Sequence, residues 1–226
     1  MIAHRHARDA PVLAVDGQRP QRRYAVALIV FTFTLYLMLD ADVIPMWRLL
    51  AAGLAMLVPW GLALLLVADH KPERRIRALS AVTAAFALTL LAYYAVGFAL
   101  HFGGIGLRYE HPDLDALVWE WSALNENWGA TWGMAGLAGF GLTGARTPVA
   151  LLLLLSALPA AITATIITVL SVHDRAPLAL AFLIGGLTAG VGYPLLGNWT
   201  EGGGWLANLG VNIGAGQGFL DFGHSA

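Results

Sequence analysis

Four stretches of the chain contain no Asp, Glu, Lys or Arg: Leu49 to Ala68, Ala78 to Phe102, Val149 to Val172 and Ala176 to Gly197. A helix rising about 1.5 Å per residue needs about 20 apolar residues to cross a bilayer, so each stretch predicts a membrane span. A fifth, Tyr24 to Leu39, is shorter and is followed by Asp40 and Asp42. With Arg22 and Arg23 in front, it reads as an extra N-terminal hydrophobic helix over residues 24–46 or as a signal-peptide core. Retention is favoured, because Leu39-Asp40-Ala41 lacks the small residues a cleavage site needs at both key positions.

Between Gly103 and Pro148 lies a long region whose second half, Gly129 to Gly144, is apolar but interrupted by glycine at 129, 133, 136, 139, 141 and 144. That density predicts a re-entrant or surface helix packed on its neighbours by a small face. Residues 1–23 mix Pro, Gly, His and Arg and read as a cytoplasmic tail or a leader. Residues 24–226 then form one membrane domain.

Composition agrees: 58% hydrophobic residues, 12% charged and a mean hydropathy of +0.67 describe an all-α polytopic membrane protein. The absence of cysteine removes disulfides, thiolate metal sites and thiol nucleophiles. A net charge of -1 gives no global basic field and argues against a nucleic-acid partner. The cations set the topology. Five Arg precede Tyr24, Lys71, Arg74, Arg75 and Arg77 share one short loop and Arg175 lies in another, so these ends are expected to be cytoplasmic. Arg48, Arg108 and Arg146 fall on the other face with Glu110, Asp113, Asp115, Glu120, Glu126 and Glu201.

The last thirty-four residues hold the most specific pattern: Tyr193-Pro194, then Trp199-Thr200-Glu201, the glycines Gly202, Gly203 and Gly204, Trp205-Leu206 and a lone Asp221-Phe222. This resembles the ammonium transporter (Amt/Mep/Rh) family, in which an aromatic-flanked triple glycine joins two membrane helices and an Asp opens the second of them. Three weaker likenesses keep the same order. Pro59-Trp60-Gly61-Leu62-Ala63-Leu64 is similar to the first core helix with Trp60 inserted, Tyr93 to Gly103 to the end of the second, and Asp174-Arg175 to a Glu-Arg after the third.

The resemblance implies the first half of an inverted-repeat helix bundle, assembled as a homotrimer in the plasma (inner) membrane, passing ammonium or ammonia without cofactor or covalent chemistry. It also implies that the chain breaks off about halfway through that fold, since Phe219 to Ala226 supplies eight residues of a helix that needs about 20. The alternative is a family-derived sensor or structural subunit that no longer conducts. That alternative is motivated by departures at the implied substrate positions.

Carried over without a gap, the tryptophan before the triple glycine is replaced by Glu201, with Trp199 two residues earlier. The stacked phenylalanine positions fall at Ser156 and Ala160, and a glutamine at Ala157. Trp199, Glu201, Ser156 and Ala160 are therefore the expected substrate-binding residues. Asp221, Gly202, Gly203 and Gly204 are the expected pore-supporting ones, with Asp221 also suited to a helix start. His224 lies too early to be the first paired histidine.

Other candidates carry less. His101 with Glu110, His111, Asp113 and Asp115 lacks metal-ligand spacing. His4, His6, His70 and His173 read as surface residues, so no metal site is expected. Trp119, Trp121, Trp128 and Trp132 read as an interfacial belt. The glycines from Gly210 to Gly218 follow no strand and carry no Lys-Ser/Thr end, which rules out a phosphate loop. No nucleophile constellation supports an enzyme.

Overall fold

The computed structural model describes residues 43–124, 128, 131–216 and 218–219. From Pro45 onward the described residues form one compact unit, and it is mostly helical. Four segments among them are long and apolar enough to cross a membrane: Met46–Asp69, Pro72–Leu107, Pro148–Val172 and Leu178–Asn212. They correspond to the four expected spans, with the last running on beyond the triple glycine. The expected Tyr24 helix, Asp221 and His224 lie outside the described residues.

The first span is a pair of helices, α1 (Val43–Ala55) and α2 (Leu57–Asp69). Pro59 accounts for the interruption. It has no N–H to donate, and its ring crowds the carbonyl four residues back, at Ala55, where α1 stops. Trp60, inserted relative to the family pattern, stacks on Phe86 with ring centroids 4.5 Å apart. The second span begins with α3 (Pro72–Ala92), which has Pro at its first turn and Glu73 beside the positive end of the helix dipole. It continues through a π turn (Tyr93–Gly97) into α4 (Phe98–Phe102).

The third span is α5 (Pro148–Val172), capped by Thr147, whose hydroxyl oxygen accepts the Ala150 N–H at 3.4 Å. The fourth runs as α6 (Leu178–Leu187), a second π turn (Thr188–Gly192), α7 (Tyr193–Thr200), a break, and α8 (Trp205–Asn212). Pro194 leaves the Gly190 carbonyl without its helical donor, which places a π turn immediately before it. The two π turns meet at Gly97, where a Cβ would lie 2.8 Å from the Ala189 carbonyl oxygen.

Small residues let these helices approach closely. Ala78, Ala81 and Ala85 of α3, Ala157 and Ala161 of α5 and Ala181 of α6 are buried, and Gly185 admits the Val169 side chain. Large apolar side chains point outward instead, with Leu65 72% and Ile76 79% exposed, as a lipid-facing surface requires.

The glycine-rich region differs from the helix expected there. Its described part forms a two-residue strand β2 (Ala135–Gly136), paired antiparallel with β1 (Glu120–Trp121), then a 3-10 turn at Phe140–Leu142. Positive φ at Gly139, Gly141 and Gly144 keeps a helix from propagating. The strands close over the end of α4 as a cap. Trp119, Trp121 and Trp128 are exposed there, whereas Trp132 is buried and meets Trp128 edge to face. The turn before α3 and the turn after α5 lie together at the opposite end, where His70 and Asp174 meet.

Candidate functional site

The described chemistry concentrates where α4, α7 and the triple glycine meet. His101, on the last turn of α4, is fully buried, with Phe102 stacked against it at 3.8 Å between ring centroids. Its Nδ1 is hydrogen-bonded to the Tyr93 hydroxyl at 2.7 Å, and its Nε2 faces Oε1 of Glu201 at 3.2 Å, off the angle of a good hydrogen bond. With a neutral imidazole, one arrangement serves all three groups. The Tyr93 hydroxyl donates to Nδ1, and Nε2–H points at the carboxylate.

The π turn makes this relay. Eight residues along an ideal α-helix leave two side chains about 80° out of line, whereas one inserted residue reduces the offset to about 20°. Tyr93 and His101 are eight apart with the π turn between them. Tyr193 completes the aromatic surround, 5.8 Å from the His101 ring and 6.3 Å from that of Tyr93.

Glycines bring Glu201 here. Gly197 packs flat on the imidazole, leaving no space for a Cβ. A Cβ on Gly202 would fall on the His101 carbonyl oxygen, Gly203 has a φ of +92°, and a Cβ on Gly204 would come 2.6 Å from Asn198 Oδ1. The three glycines thus have separate reasons: close approach, a left-handed turn and close approach again. Asn198, wholly buried, donates from Nδ2 to the His101 carbonyl at 2.9 Å, and Asn208 donates to the Gly203 carbonyl at 2.5 Å.

Two cavities open beside this junction. The larger, about 710 Å³, is lined by Arg48, Ala51, Ala52 and Ala55, by Val149, Leu152, Leu153 and Ser156 of α5, and by Glu201. The second, about 360 Å³, shares Ala55 and is lined by Pro159, Ala160, Thr163 and Tyr193 among others. Ser156 and Glu201 therefore share one cavity, and Ala160 borders the next. The Ser156 hydroxyl donates to the Leu153 carbonyl at 2.9 Å, which leaves its oxygen lone pairs to accept from a ligand. Ala157, one position on, is buried.

Trp199 goes elsewhere. Its indole N–H donates to the Met134 carbonyl at 2.8 Å and its ring lies 6.4 Å from that of Trp205, against the cap. Asp113 and His111 lie apart from His101: the Asp113 N–H donates to His111 Nδ1 at 3.1 Å, and the Asp113 carboxylate accepts from the Val149 N–H at 3.3 Å at the start of α5. Tyr93, Asn198 and Arg48 were not among the expected site residues. The break in helical register hid the first, and neither a buried Asn nor a cavity-lining Arg has a sequence signature.

Two reputed surface residues need correction. His173 is buried and His70 half-buried, because both cap helix ends that converge on Asp174.

A helical, polytopic membrane protein with a carboxylate-lined cavity backed by a buried histidine is the class defined by these features. The profile of the Ammonium Transporter Family matches residues 46–226, and the chain belongs to that family. It is 28% identical over 179 residues to the ammonium transporter Amt2 of Archaeoglobus fulgidus, a match covering 78% of this chain and 33% of that protein. The matched region thus spans about a third of the relative's length. No solved structure matches the chain.

Proposed function

We propose that the protein conducts ammonium or ammonia across a membrane, the plasma (inner) membrane in a cell that has two, and that the cavity between Ser156 and Glu201 receives the cation. The observation that carries this reading is the position of Glu201, which lines the cavity with one face and meets buried His101 with the other. Ammonium brings four N–H donors and a charge, and it needs acceptors. The Glu201 carboxylate and the Ser156 oxygen supply them at the mouth, while the apolar Ala160 and Pro159 surfaces of the next cavity oppose passage of a hydrated ion. The His101–Tyr93 pair sits behind the carboxylate and orients it.

Family membership supports the substrate, and a homotrimeric assembly belongs to the same reading on that ground alone. The test is uptake of labelled methylammonium by cells that lack their own uptake system and express the protein at its native length. Saturable uptake that is weakened in Glu201→Gln is expected. Correctly inserted protein that binds the cation without moving it would overturn conduction in favour of a sensing role.

A further inference from the structure

At the end of the molecule opposite His101, three side chains converge from two turns. His70 follows α2, and His173 and Asp174 follow α5. Nε2 of His70 lies 3.4 Å from one carboxylate oxygen of Asp174, and Nε2 of His173 lies 3.4 Å from the other. The ligating atoms of all three lie within 4.8 Å of one another.

The tautomers follow from the partners of the other ring nitrogens. Nδ1–H of His70 donates to the Leu66 carbonyl at 2.7 Å, and Nδ1–H of His173 donates to the Leu170 carbonyl at 2.9 Å. A carbonyl only accepts, so each Nδ1 carries a proton, and in a neutral ring each Nε2 presents a lone pair. Both lone pairs then face a carboxylate. The His173 side chain is 1% exposed, and its Nε2 has no hydrogen-bond partner. A backbone carbonyl holding Nδ1 while Nε2 is free is the arrangement by which metal-binding histidines are fixed.

We propose that His70, His173 and Asp174 bind a borderline divalent cation of the Zn²⁺ class. Zn–N and Zn–O bonds of about 2.0–2.2 Å at a tetrahedral angle separate neighbouring ligand atoms by about 3.4 Å, the spacing found between each Nε2 and the Asp174 oxygen nearer to it, so a small turn of the carboxylate brings one oxygen to both. Two imidazoles and one carboxylate suit Zn²⁺, Ni²⁺ or Co²⁺ and not Mg²⁺, which takes oxygen ligands and retains water. Both histidines are also the residues that end α2 and α5, so the negative ends of two helix dipoles flank the cation.

Arg74 is the opposing charge. Its Nη1 lies 4.0 Å from Asp174, but its side chain is 62% exposed and is free to withdraw into solvent. Arg75 is engaged elsewhere, donating to the His70 and Ala68 carbonyls. The bound ion would tie the turn between α2 and α3, which holds Lys71 and leads into Arg74, Arg75 and Arg77 of α3, to the turn between α5 and α6, which holds Arg175.

The experiment uses the native-length protein in detergent, purified without a histidine tag, with His4 and His6 replaced by Ala so that the N-terminal segment adds no ligands. After chelator treatment and desalting, ZnCl₂ is titrated calorimetrically, and retained metal is measured by mass spectrometry. One Zn²⁺ per chain is expected, with no displacement by a hundredfold excess of Mg²⁺. His70→Gln and Asp174→Asn, at the less buried positions, are each expected to weaken binding at least about 10-fold. Zn²⁺ should also raise the thermal unfolding midpoint of the parent protein and leave that of the His70→Gln/Asp174→Asn double variant unchanged. Absence of stoichiometric Zn²⁺ in the folded parent, or affinity in both single variants equal to that of the parent, would overturn the site whether or not His173→Gln folds.

Discussion

Nε2 of His101 and Oε1 of Glu201 stand 3.2 Å apart, one group fully buried on α4 and the other 42% exposed at a cavity mouth. The carboxylate is therefore presented to the cavity by a histidine that is itself held by Tyr93. Arg48 lines the same cavity from α1.

Opposite charges on one cavity predict variants of opposite sign. Glu201→Gln removes the attraction for an approaching cation and should raise KM for methylammonium about two- to five-fold, a modest change because salt and solvent screen a half-exposed group. Arg48→Gln removes a repulsion and should lower KM by a similar factor. Both shifts should shrink as ionic strength rises from low to physiological values. Uptake kinetics at two salt concentrations check this, and shifts of the same sign for both variants would rule out the electrostatic account.

The triple glycine makes a second, structural prediction. Gly202→Ala would drive a methyl into the His101 carbonyl oxygen and Gly203→Ala would hold a side chain at a φ of +92°. A loss of about 1–3 kcal/mol is expected for each, seen as a lower thermal unfolding midpoint in detergent. Gly61 lies in α2 with nothing within 4 Å of an added Cβ. Gly61→Ala should be neutral or stabilise by up to about 1 kcal/mol, through helix propensity.

The helices were legible in the sequence because charge-free runs long enough to span are unambiguous, and each of the four runs became one span. The fine structure of those spans was not. Pro59 marked a break that could be reasoned out, but the π turn between Tyr93 and Gly97 has no proline behind it and shifts the facing of every residue after it. His101 therefore looked like the end of an apolar stretch and not the partner of Tyr93. The cap was misread for a different reason. Gly129 to Gly144 has the apolarity of a buried helix, and only the positive φ values at Gly139, Gly141 and Gly144 reveal why the chain turns instead. His70 and His173, about a hundred residues apart, meet only because the first and third spans run in the same direction and bring their C-terminal ends together.

Sidedness gives a third prediction, and the absence of cysteine makes it clean to test. A single Cys at Glu73, exposed in the first turn of α3, should react from the cytoplasmic side. A single Cys at Glu110 should react from the outside. Glu110 is preferred to Glu120 because Glu120 is buried and accepts the Thr131 N–H, so its replacement would disturb the cap. Impermeant maleimide applied to intact cells and to inverted vesicles reads the two, and labelling of both from one face would overturn the assignment.

Selectivity depends on what surrounds the cation once it sheds water. On the ungapped carry-over from the family pattern, Ser156 and Ala160 take the positions of aromatic rings and Glu201 that of a tryptophan, while Trp199 is turned against the cap by its bond to the Met134 carbonyl. The cation-π stabilisation of a partly dehydrated ammonium, about 0.5–2 kcal/mol per well-placed face, is then missing from these positions. A carboxylate concentrates potassium as readily as ammonium, so discrimination by the unmodified protein should be poor. Glu201→Trp alone places one face at the larger cavity and should not create strong selectivity, because Ala160 would still offer no ring to a cation that passes the second, apolar cavity it lines. Glu201→Trp with Ala160→Phe places a ring at each and should improve selectivity about 10-fold, the equivalent of one further face near the middle of that range. Methylammonium uptake against a series of potassium concentrations measures the ratio. Tight uptake by the unmodified protein that potassium does not inhibit would show that residues other than Ser156, Ala160 and Glu201 form the site.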